Sequence, residues 1–461
     1  MNGKRVKYGR SFDETLNHQA PRHSGLGNEG CCLRVTARCR HRVSAGVSNR
    51  RGRPAGFHAG QEQGHLVPKR RLPGFLEAYY VARRRCDLLW RTRGMTSMGV
   101  EFIGMIGTQP ASEIHPPRGP VIDVDYVRRF AQAHEQSGFD RILIGYFSNG
   151  ADGFVVAAYA AFVTQRLRLM LAHRPGFVAP TLAARKLATL DHFSGGRLAV
   201  HIISGGDDSD QAKDGDLLPH DERYARTDEY VEILRRIWTA DQPVDHEGKY
   251  YRFRRSSPEV KPLQKPYPPI YFGGSSGAAI AIAGKHADVY ALWGEPLEEA
   301  ARTIAMVKAS AAQHGRTVRF SLSTRPILAP TEAAAWDRAR AIIAKIHQIR
   351  GGAAATTRKE PQAVGSQRLL AAAARGKVLD QRLWTEVAAA TGARGNTTAL
   401  VGTPEQVAES LMAYYDLGVT TFLIRGFDPL EDAIDYGRHL IPLVRREAAQ
   451  REGPASREAA G

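Results

Sequence analysis

Residues 167–206 read as strand, crossover helix and strand, and this unit constrains the fold more than any other stretch. The apolar run 167–172 leads into a turn with Pro175 and Gly176. Pro180-Thr181 opens a helix, because proline is tolerated in a first turn whose N–H groups have no intrahelical partner. Leu182, Leu187 and Leu190 recur at helical spacing, and Ser194-Gly195-Gly196 ends the helix. A second apolar run, 198–203, stops at Ser204-Gly205-Gly206. Two strands joined through a helix run parallel, which forces a βαβ arrangement.

The same texture recurs along the chain. Strands are expected at 100–107, 141–147, 167–173, 198–204, 269–273, 288–293, 319–328 and 421–426. Helices are expected at 125–138, 153–164, 180–194, 222–239, 277–284, 298–314, 331–349, 404–417 and 432–446, the long one capped by Asp221. Eight such repeats predict an α/β chain of the (β/α)8 TIM-barrel class over residues 98–447. Insertion segments are expected at 241–268 and 351–397, and the acidic stretch after the fourth strand is read as a solvated loop. An open doubly wound sheet is the alternative; it would carry G-x-G-x-x-G after its first strand, and none is present.

Charge separates the first segment from this body. The chain has a formal charge of +17, but residues 1–94 hold 20 of the 64 Lys+Arg and 6 of the 47 Asp+Glu, so the body is nearly neutral. Nucleic-acid binding then rests on the leader's charge alone, and no nucleic-acid or membrane partner is expected. Residues 1–97 read as a basic disordered leader, either a transit-type segment or sequence upstream of a start at Met95 or Met98; residues 448–461 read as a flexible tail. All four cysteines, Cys31, Cys32, Cys39 and Cys86, lie in the leader without paired zinc-ligand spacing. A body without cysteine suits a reducing compartment, so a cytoplasmic enzyme is expected. No metal site is expected either: the spacing of Asp207, Asp208, Asp210, Asp214 and Asp216 does not match a calcium loop.

In a barrel of this kind the working face lies at the C-terminal ends of the strands. Gly273-Gly274-Ser275-Ser276-Gly277 stands there, between the fifth expected strand and its helix. Small residues let backbone N–H groups approach a phosphate at a helix N-terminus, and serine hydroxyls add donors. An ordinary βα turn with a serine cap is the plainer reading. Arg174, Arg325 and Arg425 stand at other strand ends and suit an anionic ligand.

The blocks APTLAARKLATLDHFSGGRL, HDERYARTDEYVEILRRIW, QKPYPPIYFGGSSGAA, LWGEP, AVGSQRLL, TALVGTPEQVA and PLEDAIDYGRHLIPL occur in this order. With them the chain resembles the bacterial luciferase-like flavin monooxygenases, most closely the FMNH2-dependent alkanesulfonate monooxygenases. The resemblance implies that Tyr224, Gly274, Ser275 and Ser276 hold the flavin phosphate and that His201 and Ser204 lie near the flavin ring. It implies that Trp293 walls the substrate cavity and that Arg394 belongs to a lid formed by 351–397. Where those enzymes carry an Arg-x-His pair, this chain has Ser323-Thr324-Arg325; Phe427 replaces a tyrosine and Gly150 a cysteine. Arg325 is then the cation expected to meet the substrate. The implied activity is a two-component monooxygenase. A separate NAD(P)H-dependent FMN reductase supplies FMNH2, and O2 oxidises a small organosulfur anion, a sulfonate giving aldehyde and sulfite. A homo-oligomer is expected. An F420-dependent hydride transferase and a flavin-binding protein without turnover are the alternatives.

Overall fold

The structure is a computed structural model that describes residues 99–257, 259–350, 361–395 and 397–452. The expected leader, its cysteines, and Arg358 and Lys359 of the insertion lie outside the described residues.

Thirteen strands are present among the described residues: β1 Glu101–Ile106, β2 Arg141–Ile144, β3 Arg168–His173, β4 Leu198–Ile202, β5 Val244–Glu247, β6 Arg252–Ser256, β7 Ile270–Gly273, β8 Val289–Trp293, β9 Arg319–Leu328, β10 Val378–Leu379, β11 Leu383–Trp384, β12 Ala399–Gly402 and β13 Val419–Ile424. Eight of them, β1 to β4, β7 to β9 and β13, pair in parallel with their neighbours, and the ring closes through β8–β9, β9–β13 and β13–β1. This is the expected (β/α)8 barrel.

Strand side chains alternate between two faces, and both faces are buried here. Ile103, Met170, Ala199, Tyr271 and Val289 fill the barrel interior with Leu143 and Leu423. Phe102, Ile142, Leu169, Leu198, Val200 and Phe272 point outward under the helices. At the N-terminal end of the barrel Arg141 Nε lies 3.0 Å from Glu101 Oε1, and the Tyr271 hydroxyl donates to Glu101 Oε2 at 3.3 Å. These side chains occupy the N-terminal end of the barrel interior, and in a barrel of this kind the working face is the opposite end.

Helix starts follow their caps. Asp123, Asp152, Ser276 and Thr331 each accept from a backbone N–H of the first turn, and Thr403 with Gln406 forms a capping box. Pro180 starts the helix Pro180–Phe193, and Gly195 and Gly196, at φ +68° and +78°, turn the chain out of it.

The structure fills in some expectations and corrects others. Residues 241–268 contain the antiparallel hairpin β5–β6. The acidic stretch forms the helix Asp208–Lys213. Asp221 does not cap the long helix, which begins at His220 after Pro219; Asp221 meets the His220 ring instead. The insertion holds the helix Val364–Arg375, the hairpin β10–β11 and the helix Glu386–Thr391. Its return segment forms β12, which pairs in parallel with the far half of β9. The last helix runs to Arg451, and residues 453–461 of the expected tail lie outside the described residues. No helix among the described residues is long and apolar enough to cross a membrane.

Candidate functional site

The C-terminal ends of the barrel strands gather most of the predicted residues. At the end of β7, Gly274 adopts φ +137°, a conformation that L side chains rarely reach. A Cβ built there would stand 2.8 Å from Ala279 Cβ and 3.1 Å from the Tyr224 hydroxyl. Tyr224 comes from the helix His220–Thr239, is buried, and brings its hydroxyl beside Ser276. Ser276 also caps the helix Gly277–His286, accepting from the Ala279 N–H at 3.2 Å. Tyr224, Gly274, Ser275 and Ser276 therefore surround one helix N-terminus, where partial positive charge and free N–H groups favour an anion.

His201 points into the barrel from β4, beside β7: a Cβ on Gly273 would lie 3.7 Å from His201 Cε1. Burial pushes its imidazole down to about 4, so it is neutral near pH 7. Ser204 behaves differently. Its hydroxyl donates to Thr227 of the helix His220–Thr239 at 2.9 Å, so the side chain turns away from the barrel axis.

Trp293 ends β8, half-buried, beneath the start of the helix Val364–Arg375. A Cβ on Gly365 would stand 2.9 Å from Trp293 Cζ3 and 3.4 Å from Ser275 Oγ, so the inserted helix seats against both. Arg368 anchors that helix by reaching Glu295 Oε2 at 2.7 Å and the Thr303 hydroxyl at 2.9 Å. Arg394 is exposed, and its charge acts on Asp207 in the loop after β4. Gln362 exchanges hydrogen bonds with Asp208 of the same loop, at 2.9 and 3.0 Å.

In the acidic stretch Asp207, Asp208 and Asp214 are exposed as expected, but three of its five aspartates also meet arginines. Asp210 meets Arg174 at 2.5 Å, Asp208 meets Arg223 at 2.8 Å and Asp216 meets Arg226 at 2.5 Å. Asp207 accepts from the N–H groups of Ser209 and Asp210.

Arg325 lies where β9 leaves the barrel: Thr324 still pairs with β13, whereas Arg325 is registered with Ala399 of β12. It is 0% exposed, its guanidinium sits 3.5 Å from the Phe427 ring centroid, and its Nη2 donates to the Gly426 carbonyl at 2.9 Å. Its Nη1 is 2.7 Å from Glu113 Oε1, an oxygen that Arg425 Nη2 also reaches at 3.3 Å. Burial opposes ionisation of Glu113, but Arg325 and then Arg425 outweigh it and hold the carboxyl at about 2. Each strand-end cation expected to meet an anion, Arg174, Arg325 and Arg425, thus has a carboxylate beside it.

The sequence places Glu295 at a strand end and Arg368 in the insertion but does not pair them, and it does not mark Glu113 or Gly365. Glu113 stands among prolines in an irregular loop, and its partners are more than two hundred residues downstream; no local pattern marks it.

The fold recurs in solved structures. The riboflavin lyase RcaE, crystallised with modified FMN and riboflavin, is similar with a TM-score of 0.64 and 22% identity over 76% of this chain and 92% of that one. DmoA from Hyphomicrobium sulfonivorans is similar with a TM-score of 0.62 and 21% identity over 76% of this chain and 89% of that one. An F420-dependent secondary alcohol dehydrogenase is similar with a TM-score of 0.55 and 16% identity over 75% of this chain and 99% of that one. Residues 100–421, most of the described barrel, match the family model for luciferase-like monooxygenases, and the chain belongs to that family.

Proposed function

We propose that the chain is the oxygenase of a two-component system. It takes reduced FMN from a separate NAD(P)H-dependent FMN reductase and uses O2 to oxidise a small organic anion, an alkanesulfonate being cleaved to an aldehyde and sulfite. The observation that carries this reading is the cradle at Gly274, where a side chain would fill the space between Ala279 and the Tyr224 hydroxyl. The residues present fit a phosphate: two serine hydroxyls, a tyrosine hydroxyl and the N-terminus of Gly277–His286.

Ser275, Ser276 and Tyr224 bind the flavin phosphate through charge-assisted hydrogen bonds. His201 offers an uncharged imidazole to the ring and adds no fixed positive charge there. Ser204 acts through Thr227, positioning the loop after β4. Bound reduced FMN supplies the electrons that activate O2. Trp293, under the inserted helix, excludes water from the mouth of the barrel. Arg394, facing Asp207, ties the far end of the insertion to the same rim. Arg325 and Arg425 provide the positive charge for the substrate's head group, at the edge of the barrel where β9 and β13 end their pairing.

Titration with reduced FMN and with reduced F420, followed by assay of sulfite release from short alkanesulfonates, tests this reading. Preference for F420, the cofactor named for one similar fold, would favour hydride transfer instead. Tight FMNH2 binding with no substrate-dependent product would leave a flavin-binding protein without turnover.

A further inference from the structure

Arg325 and Arg425 converge on one point from two different strands, and that point is already occupied by Glu113. Resting on the reading of these arginines as the substrate's anion receptor, we propose that Glu113 is its internal occupant: the carboxylate holds the place of the substrate's head group, and an organic sulfonate binds by displacing it.

Three observations carry the assignment. First, the guanidiniums are held by the sheet and the occupant is not. Arg325 stands within β9, stacked on Phe427 and bonded to the Gly426 carbonyl. Arg425 follows β13 directly and approaches Met105 Sδ of β1 at 3.9 Å. Glu113 belongs to the irregular segment between β1 and the helix Val124–Gln136, which contains Pro110, Pro116, Pro117 and Pro120. Moving it breaks no strand ladder.

Second, the carboxylate fits the receptor poorly. Both arginines reach the same oxygen, Oε1, at 2.7 and 3.3 Å. Glu113 Oε2 is buried without a hydrogen-bond partner, and so is Arg325 Nε. A buried acceptor and a buried donor left unmade cost free energy that a better-shaped ligand recovers. Guanidinium groups bind oxyanions best through two parallel N–H bonds. A sulfonate presents three oxygens arranged around one centre, so it can meet two guanidiniums that are not coplanar and still share an oxygen between them.

Third, Arg325 has no exposed surface, whereas the Glu113 side chain keeps 18% of its own. The Arg425 side chain keeps 30%, so a ligand can approach Arg425 and Glu113 from solvent, and it takes the position beside Arg325 only when the carboxylate leaves. The two arginines keep Glu113 ionised throughout the neutral range, so exchange is anion for anion and needs no proton. This makes Glu113 a specificity-determining residue: uncharged analogues cannot compete for the receptor, and small oxyanions can.

Calorimetric titration of the full chain with methanesulfonate tests the proposal, with dimethyl sulfone as the uncharged control. Glu113→Gln is expected to bind methanesulfonate at least tenfold tighter than the unmodified chain, with no gain for dimethyl sulfone. Its thermal midpoint, lowered by the loss of the internal anion, should climb on adding methanesulfonate. A folded Glu113→Gln chain that binds methanesulfonate no tighter would overturn the proposal, as would an equal gain for the sulfone. Should Glu113→Gln fail to fold, Glu113→Asp withdraws the carboxylate by one methylene and keeps its charge; a threefold gain is then expected, and an unchanged affinity counts against displacement. Arg425→Gln separates the two levels of the argument. If it leaves methanesulfonate binding intact, the receptor itself is misassigned and the proposed anionic substrate falls with it. If it abolishes binding while Glu113→Gln gains nothing, the receptor stands and displacement alone is wrong.

Discussion

Arg368 Nη2 lies 2.7 Å from Glu295 Oε2, and this pair joins the inserted helix to the loop that follows β8. Glu295 is buried, its Oε1 has no hydrogen-bond partner, and burial pushes its carboxyl up to about 7, with Arg368 opposing and Glu299 assisting. A carboxyl whose folded pKa exceeds its unfolded value binds more protons in the native state between those two values. Its contribution is fully present below the unfolded value near 4.5 and is lost as pH rises through about 7. The loss is on the order of 3 kcal/mol at most. Denaturant melts of the unmodified chain and of Glu295→Gln check this. The unmodified chain should lose stability relative to the variant from pH 5 to pH 8; parallel profiles would show that Glu295 titrates as an ordinary carboxylate.

Gly365 is predicted to accept no side chain. Its Cβ would meet Trp293 Cζ3 at 2.9 Å and Cε3 at 3.0 Å, and the ring is confined between β8 and the inserted helix. Gly365→Ala is expected to lift the start of Val364–Arg375 off Trp293, at a cost of roughly 1–3 kcal/mol. Tryptophan fluorescence should shift to longer wavelength as the ring meets water. An unchanged spectrum and melting midpoint would mean that the helix seats elsewhere.

The barrel was legible because its strands are buried on both faces. Such strands read as short apolar runs bounded by Gly, Pro and Asp, and several helices between them carry their own side-chain cap, as at Asp123, Ser276 and Thr403. The Gly-Gly-Ser-Ser-Gly turn was legible for the same local reason. What stayed hidden depends on partners distant in the chain. β12 is a four-residue run at the edge of an insertion, and only its pairing with β9 and β11 makes it a strand. The acidic residues after β4 read as solvated until Arg174, Arg223 and Arg226 are placed against them. Ser204 lies beyond the last paired residue of β4, where two-residue alternation no longer tells which way a side chain points.

Ser275 and Ser276 are predicted to distinguish FMN from riboflavin, which has no phosphate. Replacing both with alanine should weaken FMN by about 1.5–3 kcal/mol for each charge-assisted hydrogen bond removed. Riboflavin affinity should change little. Because Ser276 also caps Gly277–His286, a melting control is needed: loss of that cap alone costs about 1 kcal/mol of stability. Equal weakening of both ligands would place the phosphate away from this turn.

A chain that starts at Met98 is predicted to fold and bind flavin as the full chain does. Val100 is already in the core, β1 begins at Glu101, and the eight barrel strands close on one another within the described residues. The removed segment carries most of the net charge and shows no periodic apolar face. A lower melting midpoint in the shortened chain would assign the leader a structural role.

Arg325→Lys tests the receptor at its most buried point. The guanidinium stacks on Phe427, donates to Gly426 and faces Glu113, three contacts made by one planar group. An ammonium can keep the charge facing Glu113 but cannot stack in the same way or hold two acceptors along a rigid fork. Lysine should therefore reduce affinity for the anionic substrate by on the order of 2–4 kcal/mol. Stability should fall as well, because the stacked guanidinium supports the point where β9 passes from the barrel to β12. The separation to look for is in the flavin. The cradle at Gly274, Ser275 and Ser276 is built on β7 and the helix after it, so FMNH2 binding should stay unchanged at temperatures where the variant is folded. If flavin and substrate affinities drop together in the folded variant, Arg325 supports the barrel rim as a whole. If neither drops, the substrate charge is met elsewhere, and Arg174 beside Asp210 is the next residue to replace.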